Sequence, residues 1–377
     1  MNNSKTIACL LSVFLVSSYT FAAATESNPY SPKVFLDHTS KYNTLDGLAL
    51  DNEGNIIASV PNLNNDYLIK NGTIETASPP VMAIITKDNQ VSDWYKFKPE
   101  DMHQGTGRIG PMECAFGPDG NLYIADMQVL WDGNNASRVL RINIVDGKPV
   151  DMDVVVEGFN VANGLTWKDD TLFVTESILV HEAAPAEGEK KAPLRSGVYA
   201  FSLEELQKGT VTLSPYSEAK DPHLVAQMVS SNRVGFGADG LAVDDNGNLY
   251  TSIMEDGVIY KTSFDEDGKI TGTKMFTDSK KMVSSDGILW DSSRQKLYVA
   301  DILNNAVHSV GADASVETLH QNADTSGADG SLDQPVVLLL RDDQLIVVNM
   351  DIAWITPKGA ALNTEVEAPF NLSVIDL

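Results

Sequence analysis

The chain has 377 residues, with 52 Asp and Glu against 27 Lys and Arg and a formal charge of −25 at pH 7. A surface this acidic repels nucleic acid and anionic membranes, so neither is expected as a partner. Of the two cysteines, Cys9 falls in an N-terminal leader, so Cys114 is left alone. It reads as a small core residue with no internal disulfide to form.

Residues 1–24 read as a secretory signal peptide. Lys5 precedes an apolar run at 7–24 whose centre is 10–16, and Ala22-Ala23-Ala24 offers small residues for cleavage after Ala24. The run is too short to favour a membrane span. The expectation is a secreted or periplasmic protein, free of the membrane after cleavage, with residues 25–377 as a single domain.

Next comes an isolated strand candidate, Lys33-Val34-Phe35-Leu36-Asp37. A short pattern then recurs. Asp46-Gly47-Leu48-Ala49-Leu50-Asp51 opens it, and Glu113-Cys114-Ala115-Phe116 repeats it. Asn163-Gly164-Leu165-Thr166-Trp167, Asp239-Gly240-Leu241-Ala242-Val243-Asp244 and Asp286-Gly287-Ile288-Leu289-Trp290-Asp291 follow, with a worn copy at 336–348. Each copy is an apolar run, a polar turn rich in Gly, Asn and Asp, and a second apolar run, which is a β-hairpin. Weaker strand candidates follow at 139–144, 197–201, 257–260 and 306–310.

Self-similarity at roughly 50-residue intervals marks a solenoid or a propeller. Helical periodicity is scarce, and the best helix candidate is the short segment 203–208. The expected fold is therefore all-β, a six-bladed β-propeller with four antiparallel strands per blade. The last repeat has strands near 336–341, 344–350 and 371–376 and lacks a fourth, so the strand at 33–37 is expected to complete it and close the ring.

Long connections at 61–80, 99–110, 127–137, 178–196 and 215–237 should share one face, as a pocket or lid. His103, Arg108, His223 and Arg233 lie on them; Arg108, His103 and Arg233 are the candidate substrate-binding residues. Gly105–Gly110 and Gly235–Gly240 fit a dinucleotide fingerprint on paper, but strands rather than helices are expected after them. Asp265-Glu266-Asp267-Gly268 has its glycine misplaced for a calcium loop and reads as a hairpin turn. No G-x-S-x-G elbow is present.

The residues that open the inner strands are Asp46, Glu113, Asn163, Asp239 and Asp286, which should converge at one mouth of the central channel. Asp-Gly also serves ordinary turns, but Glu113 and Asn163 depart from that pattern. Hard oxygen donors select Ca²⁺ foremost, then Mg²⁺ or Mn²⁺, over Zn²⁺. Four carboxylates exceed the charge of one ion, so Asp46 or Asp286 can stand off from it.

These repeats, Asn163-Gly164-Leu165 and Asp239-Gly240-Leu241 above all, resemble the senescence marker protein/gluconolactonase/luciferin-regenerating-enzyme-like family over essentially the whole mature chain. The resemblance implies a six-bladed propeller, a divalent cation on the axis and lactonase activity. It makes Asn163 and Asp239 ligands, with Asp239 also the general base. Glu113 supplies a Glu, but on the blade where the family more often has a second Asn; the blade where the family's Glu would fall is the worn sixth copy. The leading expectation is a metal-dependent hydrolase of lactones or related esters acting on a small molecule, with no protein partner evident. A phosphotriester or aryl ester hydrolase is one alternative, and a non-catalytic ligand-binding propeller the other.

Overall fold

A computed structural model describes residues 28–181, 191–217, 221–355, 361–363 and 365–377. The leader expected at 1–24 lies outside the described residues. Alternating apolar strands joined by tight turns form six sheets around an axis, a six-bladed β-propeller with four antiparallel strands per blade; a short strand, Val211–Thr212, adds in parallel to the outer edge of the second blade. Blade one runs Leu48–Leu50, Ile56–Val60, Val81–Ile85, Val91–Lys96. Blade two runs Pro111–Phe116, Leu122–Asp126, Ser137–Val145, Lys148–Phe159, and blade three Ala162–Lys168, Thr171–Glu176, Leu194–Ser202, Leu224–Ser230. Blade four is Ala238–Val243, Leu249–Ile253, Val258–Phe264, Ile270–Asp278, and blade five Ile288–Asp291, Lys296–Asp301, Ala306–Gly311, Val316–Gln321. Each inner strand packs on the inner strands of its two neighbours, and blade one meets blade six.

Blade six takes Pro335–Arg341, Gln344–Asn349 and Phe370–Asp376 from the C-terminal segment and Lys33–His38 from the N-terminal one. The closing strand pairs antiparallel, Lys33 opposite Val374 and His38 opposite Phe370. The segments 105–110 and 235–240 lead into strands, as expected, and 265–268 is a hairpin turn with Gly268 at φ 77°. The short helix Leu203–Lys208 forms where periodicity placed it, with the Ser202 hydroxyl accepting from the Glu205 amide at 3.3 Å. A second helix, Asn65–Lys70, sits inside the first long connection.

The repeat glycines have two different physical reasons. Gly120, in a hairpin turn, sits at φ 80°, which favours glycine. Gly164 and Gly287, beside the polar inner-strand residues, are not in that region; they are needed for approach. A Cβ on Gly164 would stand 2.2 Å from the Asp239 carbonyl oxygen, and one on Gly287 would stand 2.4 Å from that of Val336. Bare backbone at these points lets neighbouring blades close around the axis.

His38 ends the closing strand and stacks on Phe370 with ring centroids 6.2 Å apart. Burial pushes its pKa down to about 4, against opposing pulls from backbone groups of Tyr42 and Thr39. Its unfolded value is about 6.5. The unfolded chain therefore binds more protons between the two values, so this stability is present above pH 6.5 and is lost as pH falls toward 4. Between pH 7 and pH 5 the loss is about 2 kcal/mol by this linkage. Urea midpoints for the wild type and His38→Leu at both pH values measure it. A variant that keeps the full pH dependence would refute the assignment.

Candidate active site

Local irregularity aims the polar residues at the axis. The pairing register breaks between Pro111 and Cys114, Ala162 and Leu165, Ala238 and Leu241, and Pro335 and Leu338. Glu113, Asn163 and Asp239 lie within three of these breaks. Bulges of this kind re-aim a side chain that a regular pleat would bury between blades.

A second device holds each incoming loop. A polar residue at or just beyond the end of every second strand accepts hydrogen bonds from the backbone leading into its own blade. Asn62 Oδ1 accepts from Asn43 N at 2.8 Å, Asp126 Oδ1 from Gly110 N at 2.8 Å, and Asn349 Oδ1 from Asp333 N at 3.1 Å. Glu176 accepts from Asn160 N and Val161 N, both at 2.7 Å, and Glu255 Oε2 from Val234 N at 2.7 Å and Gly235 N at 2.8 Å. Asp301 accepts from Val283 N at 2.7 Å and Ser284 N at 2.9 Å. The bonds to the Asp126, Glu255 and Asp301 carboxylates are of the charge-assisted kind, worth roughly 1.5–3 kcal/mol each, and those to the Asn62 and Asn349 amides are neutral and worth about 1 kcal/mol; together with those to Glu176 they fix the segments that precede the inner strands.

All five of those residues line one cavity of about 1070 Å³. Asp46 and Asp239 are buried, while Glu113, Asn163 and Asp286 are half-buried. The Asn163 Nδ2 donates to Asp239 Oδ2 at 2.8 Å, which leaves the Asn163 carbonyl oxygen as its group for a cation. Burial first, and then the neighbouring carboxylates, raise the proton affinity of the group. Asp46 is pushed up to about 7 by burial, and Glu113 to about 8 by burial and then by Asp46 and Asp239. Asp239 is raised by burial and then by Asp46; Asp286 is raised by burial and then by Asp239, Asp46 and Glu113. Four carboxylates and an oriented amide lining one cavity, with no thiolate or imidazole among the five, are the hard donors a divalent cation takes, and such an ion would relieve their repulsion; as they stand, no three of these carboxylates have ligand atoms within 4.8 Å of one another.

The long connections form the walls. Met102, Met127, Trp131, Phe236 and Trp354 supply apolar surface, with Arg108, His181 and Lys191 as cationic or polar groups. Of the three expected substrate-binding residues, Arg108 lines the cavity and the other two do not. The His103 Nδ1 accepts from the Thr106 amide at 3.3 Å and serves its own loop. The Arg233 guanidinium donates to the Glu255 and Val283 carbonyls and lines a separate, smaller cavity. His223 pairs with Asp221 at 2.7 Å and stacks on Phe201, away from the cavity. Sequence reading missed the excursion after Asn349, which brings Met350, Ile352 and Trp354 to the wall. Its signal was the length between the second and third strands of blade six.

No protein-family model and no curated protein matches the chain. Solved structures do. A luciferin-regenerating enzyme superposes with TM-score 0.55 at 10% identity, over 92% of this chain and 95% of that one. A calcium-binding regucalcin from Agrobacterium tumefaciens gives 0.53 at 11%, over 92% and 93%. A gluconolactonase from Xanthomonas campestris gives 0.51 at 14%, over 92% and 91%. A PQQ-bound aldose sugar dehydrogenase from Streptomyces coelicolor is as near, at 0.52 and 13% over 92% and 98%. At these identities the likeness shows the fold, and different chemistries share it.

Proposed function

We propose that the protein is an exported, metal-dependent hydrolase of lactones or related esters. The observation that carries this reading is the convergence of Asp46, Glu113, Asn163, Asp239 and Asp286 on one cavity with apolar walls. The fold shared with a gluconolactonase and a luciferin-regenerating enzyme supports it, and the leader at 1–24 supports export. Glu113, Asn163 and Asp239, with Asp46 and Asp286 beside them, would hold one divalent cation, Ca²⁺ foremost. When bound, the cation supplies the positive charge that polarises a carbonyl and stabilises its oxyanion.

The chain's own groups do the rest. Asp239, held by the Asn163 amide, takes a proton from water as the water oxygen bonds to the carbonyl carbon. The ring C–O bond then breaks, and the same proton goes to the departing oxygen, giving the hydroxy acid. The methionines and aromatic rings of the wall exclude water and hold the apolar part of the substrate. Arg108 offers its guanidinium to an anionic or carbonyl substituent.

Aryl esters and phosphotriesters are the second reading, favoured by the Trp131, Phe236 and Trp354 side chains around the cavity. Acid release from a panel of alkyl and sugar lactones, aryl esters and aryl phosphotriesters tests both readings. The protein is stripped with chelator, then refilled with Ca²⁺, Mg²⁺, Mn²⁺ or Zn²⁺. Lactone hydrolysis that vanishes on stripping and returns with Ca²⁺ is expected. Turnover confined to phosphotriesters would move the assignment to the second reading. Folded protein that hydrolyses nothing with any ion would make it a binding protein.

A further inference from the structure

A second group of carboxylates lies in the connections of blade six. Asp333 stands two residues before the inner strand Pro335–Arg341, Asp351 two after Gln344–Asn349, and Glu367 three before Phe370–Asp376. One ligand atom from each lies within 4.8 Å of the other two; among the described residues no other trio of His, Cys, Asp or Glu is gathered so closely. Asp333 is 3% exposed and Asp351 4%. Asp351 has donors of its own: the Glu367 amide at 2.8 Å and Asn363 Nδ2 at 3.0 Å.

Asp333 does not. Its Oδ1 is buried and has no hydrogen-bond partner, and one of its carboxylate oxygens lies within 4.8 Å of an oxygen of each of the other two carboxylates. Burial raises its proton affinity, and the charges that act on it after burial are Asp351, Asp324 and Glu367, all acidic. A carboxylate oxygen removed from water without donor or counter-charge costs several kcal/mol or stays protonated, and so is rarely left that way.

We propose that Asp333, Asp351 and Glu367 bind a divalent cation of the Ca²⁺ class, separate from the axial centre. All three ligands are hard oxygens, with no imidazole or thiolate among them, which selects Ca²⁺, Mg²⁺ or Mn²⁺ over Zn²⁺ or Cu²⁺. The ion joins two connections of the blade that closes the ring, the one leading into its inner strand and, at both ends, the excursion between its second and third strands. One of them carries the ribbon Trp354–Ile355 with Ala361–Asn363, and Trp354 packs edge-on against Phe236 at 5.7 Å in the cavity wall. The cation braces that wall and takes no part in the chemistry, so the proposal stands whether or not the protein is a lactonase.

Calorimetric titration of Ca²⁺ into chelator-stripped protein tests it, using the wild type, Asp333→Asn, Glu367→Gln and the axial variant Glu113→Gln. The wild type is expected to bind two ions. Asp333→Asn and Glu367→Gln should each lose one of them or weaken it by roughly tenfold or more, while Glu113→Gln keeps it and is impaired in the other. Glu367 is half-buried, so Glu367→Gln covers the case in which Asp333→Asn fails to fold. An unchanged ion count and affinity in a folded Asp333→Asn or Glu367→Gln would overturn the proposal. So would a wild type whose every bound ion is lost in Glu113→Gln.

Discussion

Asp239→Asn is expected to lower lactone turnover by roughly a thousandfold, the scale on which a positioned general base acts, and to leave the fold intact. The backbone at this position is held without the side chain: the Thr175 hydroxyl donates to the Asp239 carbonyl at 2.8 Å. The amide is nearly isosteric and can still face Asn163, but it cannot take a proton and carries no charge. Removing that charge also relieves Asp286, whose carboxyl Asp239 pushes up after burial has done so. The melting temperature should therefore hold or rise. A loss of activity with a stable fold has two sources, weaker cation binding and the missing base. Measuring kcat at saturating Ca²⁺ separates them, because mass action restores the ion and cannot restore the base. Full activity at saturating cation would move the base to another carboxylate, with Glu113 next in line.

The site was legible because a propeller repeats its sequence where it repeats its geometry. The polar residue opening each copy could be aligned by eye, and the structure brings Asp46, Glu113, Asn163, Asp239 and Asp286 to one cavity. Their glycines were legible as present but not in purpose. Turn chemistry explains Gly120, whereas Gly164 and Gly287 answer to a neighbouring blade that is distant in sequence. The clamping residues were hidden for a related reason. Asp126, Glu176, Glu255 and Asp301 follow apolar runs like any loop residue, and only the folded chain shows the backbone amides they receive. Loop cations were the least legible. Arg233 and His103 have the right chemistry for a substrate, but nearby carbonyls hold the first and an amide of its own loop the second. Side-chain direction on a loop is set by tertiary contacts that no periodicity encodes.

Deleting residues 28–38 should cost most of the protein's stability, on the order of the 5–15 kcal/mol that a folded protein has in total. The segment buries little apolar surface, since Phe35 and Leu36 are half-buried and His38 alone is buried. Its role is topological. It pairs along Phe370–Val374 and leads directly into blade one, so the N-terminal and C-terminal segments share the sheet of blade six and the chain ties that blade to blade one, in addition to the packed inner strands. The fit is close: a Cβ on Gly330 would stand 2.2 Å from the Lys33 carbonyl carbon. Arg341 stacks on Phe35 at 4.8 Å, and Asn28 Nδ2 donates to the Leu319 carbonyl at 2.8 Å, reaching back to blade five. The Lys33–Asp376 ion pair at 2.6 Å is exposed on both sides and contributes little, so Lys33→Ala serves as the near-neutral control. Without the strand, Phe370–Asp376 becomes an open sheet edge, a template for pairing with a second chain. The expected result is a melting temperature lowered by well over ten degrees, with soluble aggregates in size-exclusion chromatography. A monomeric deletion variant that melts with the wild type would mean that inner-strand packing alone closes the ring.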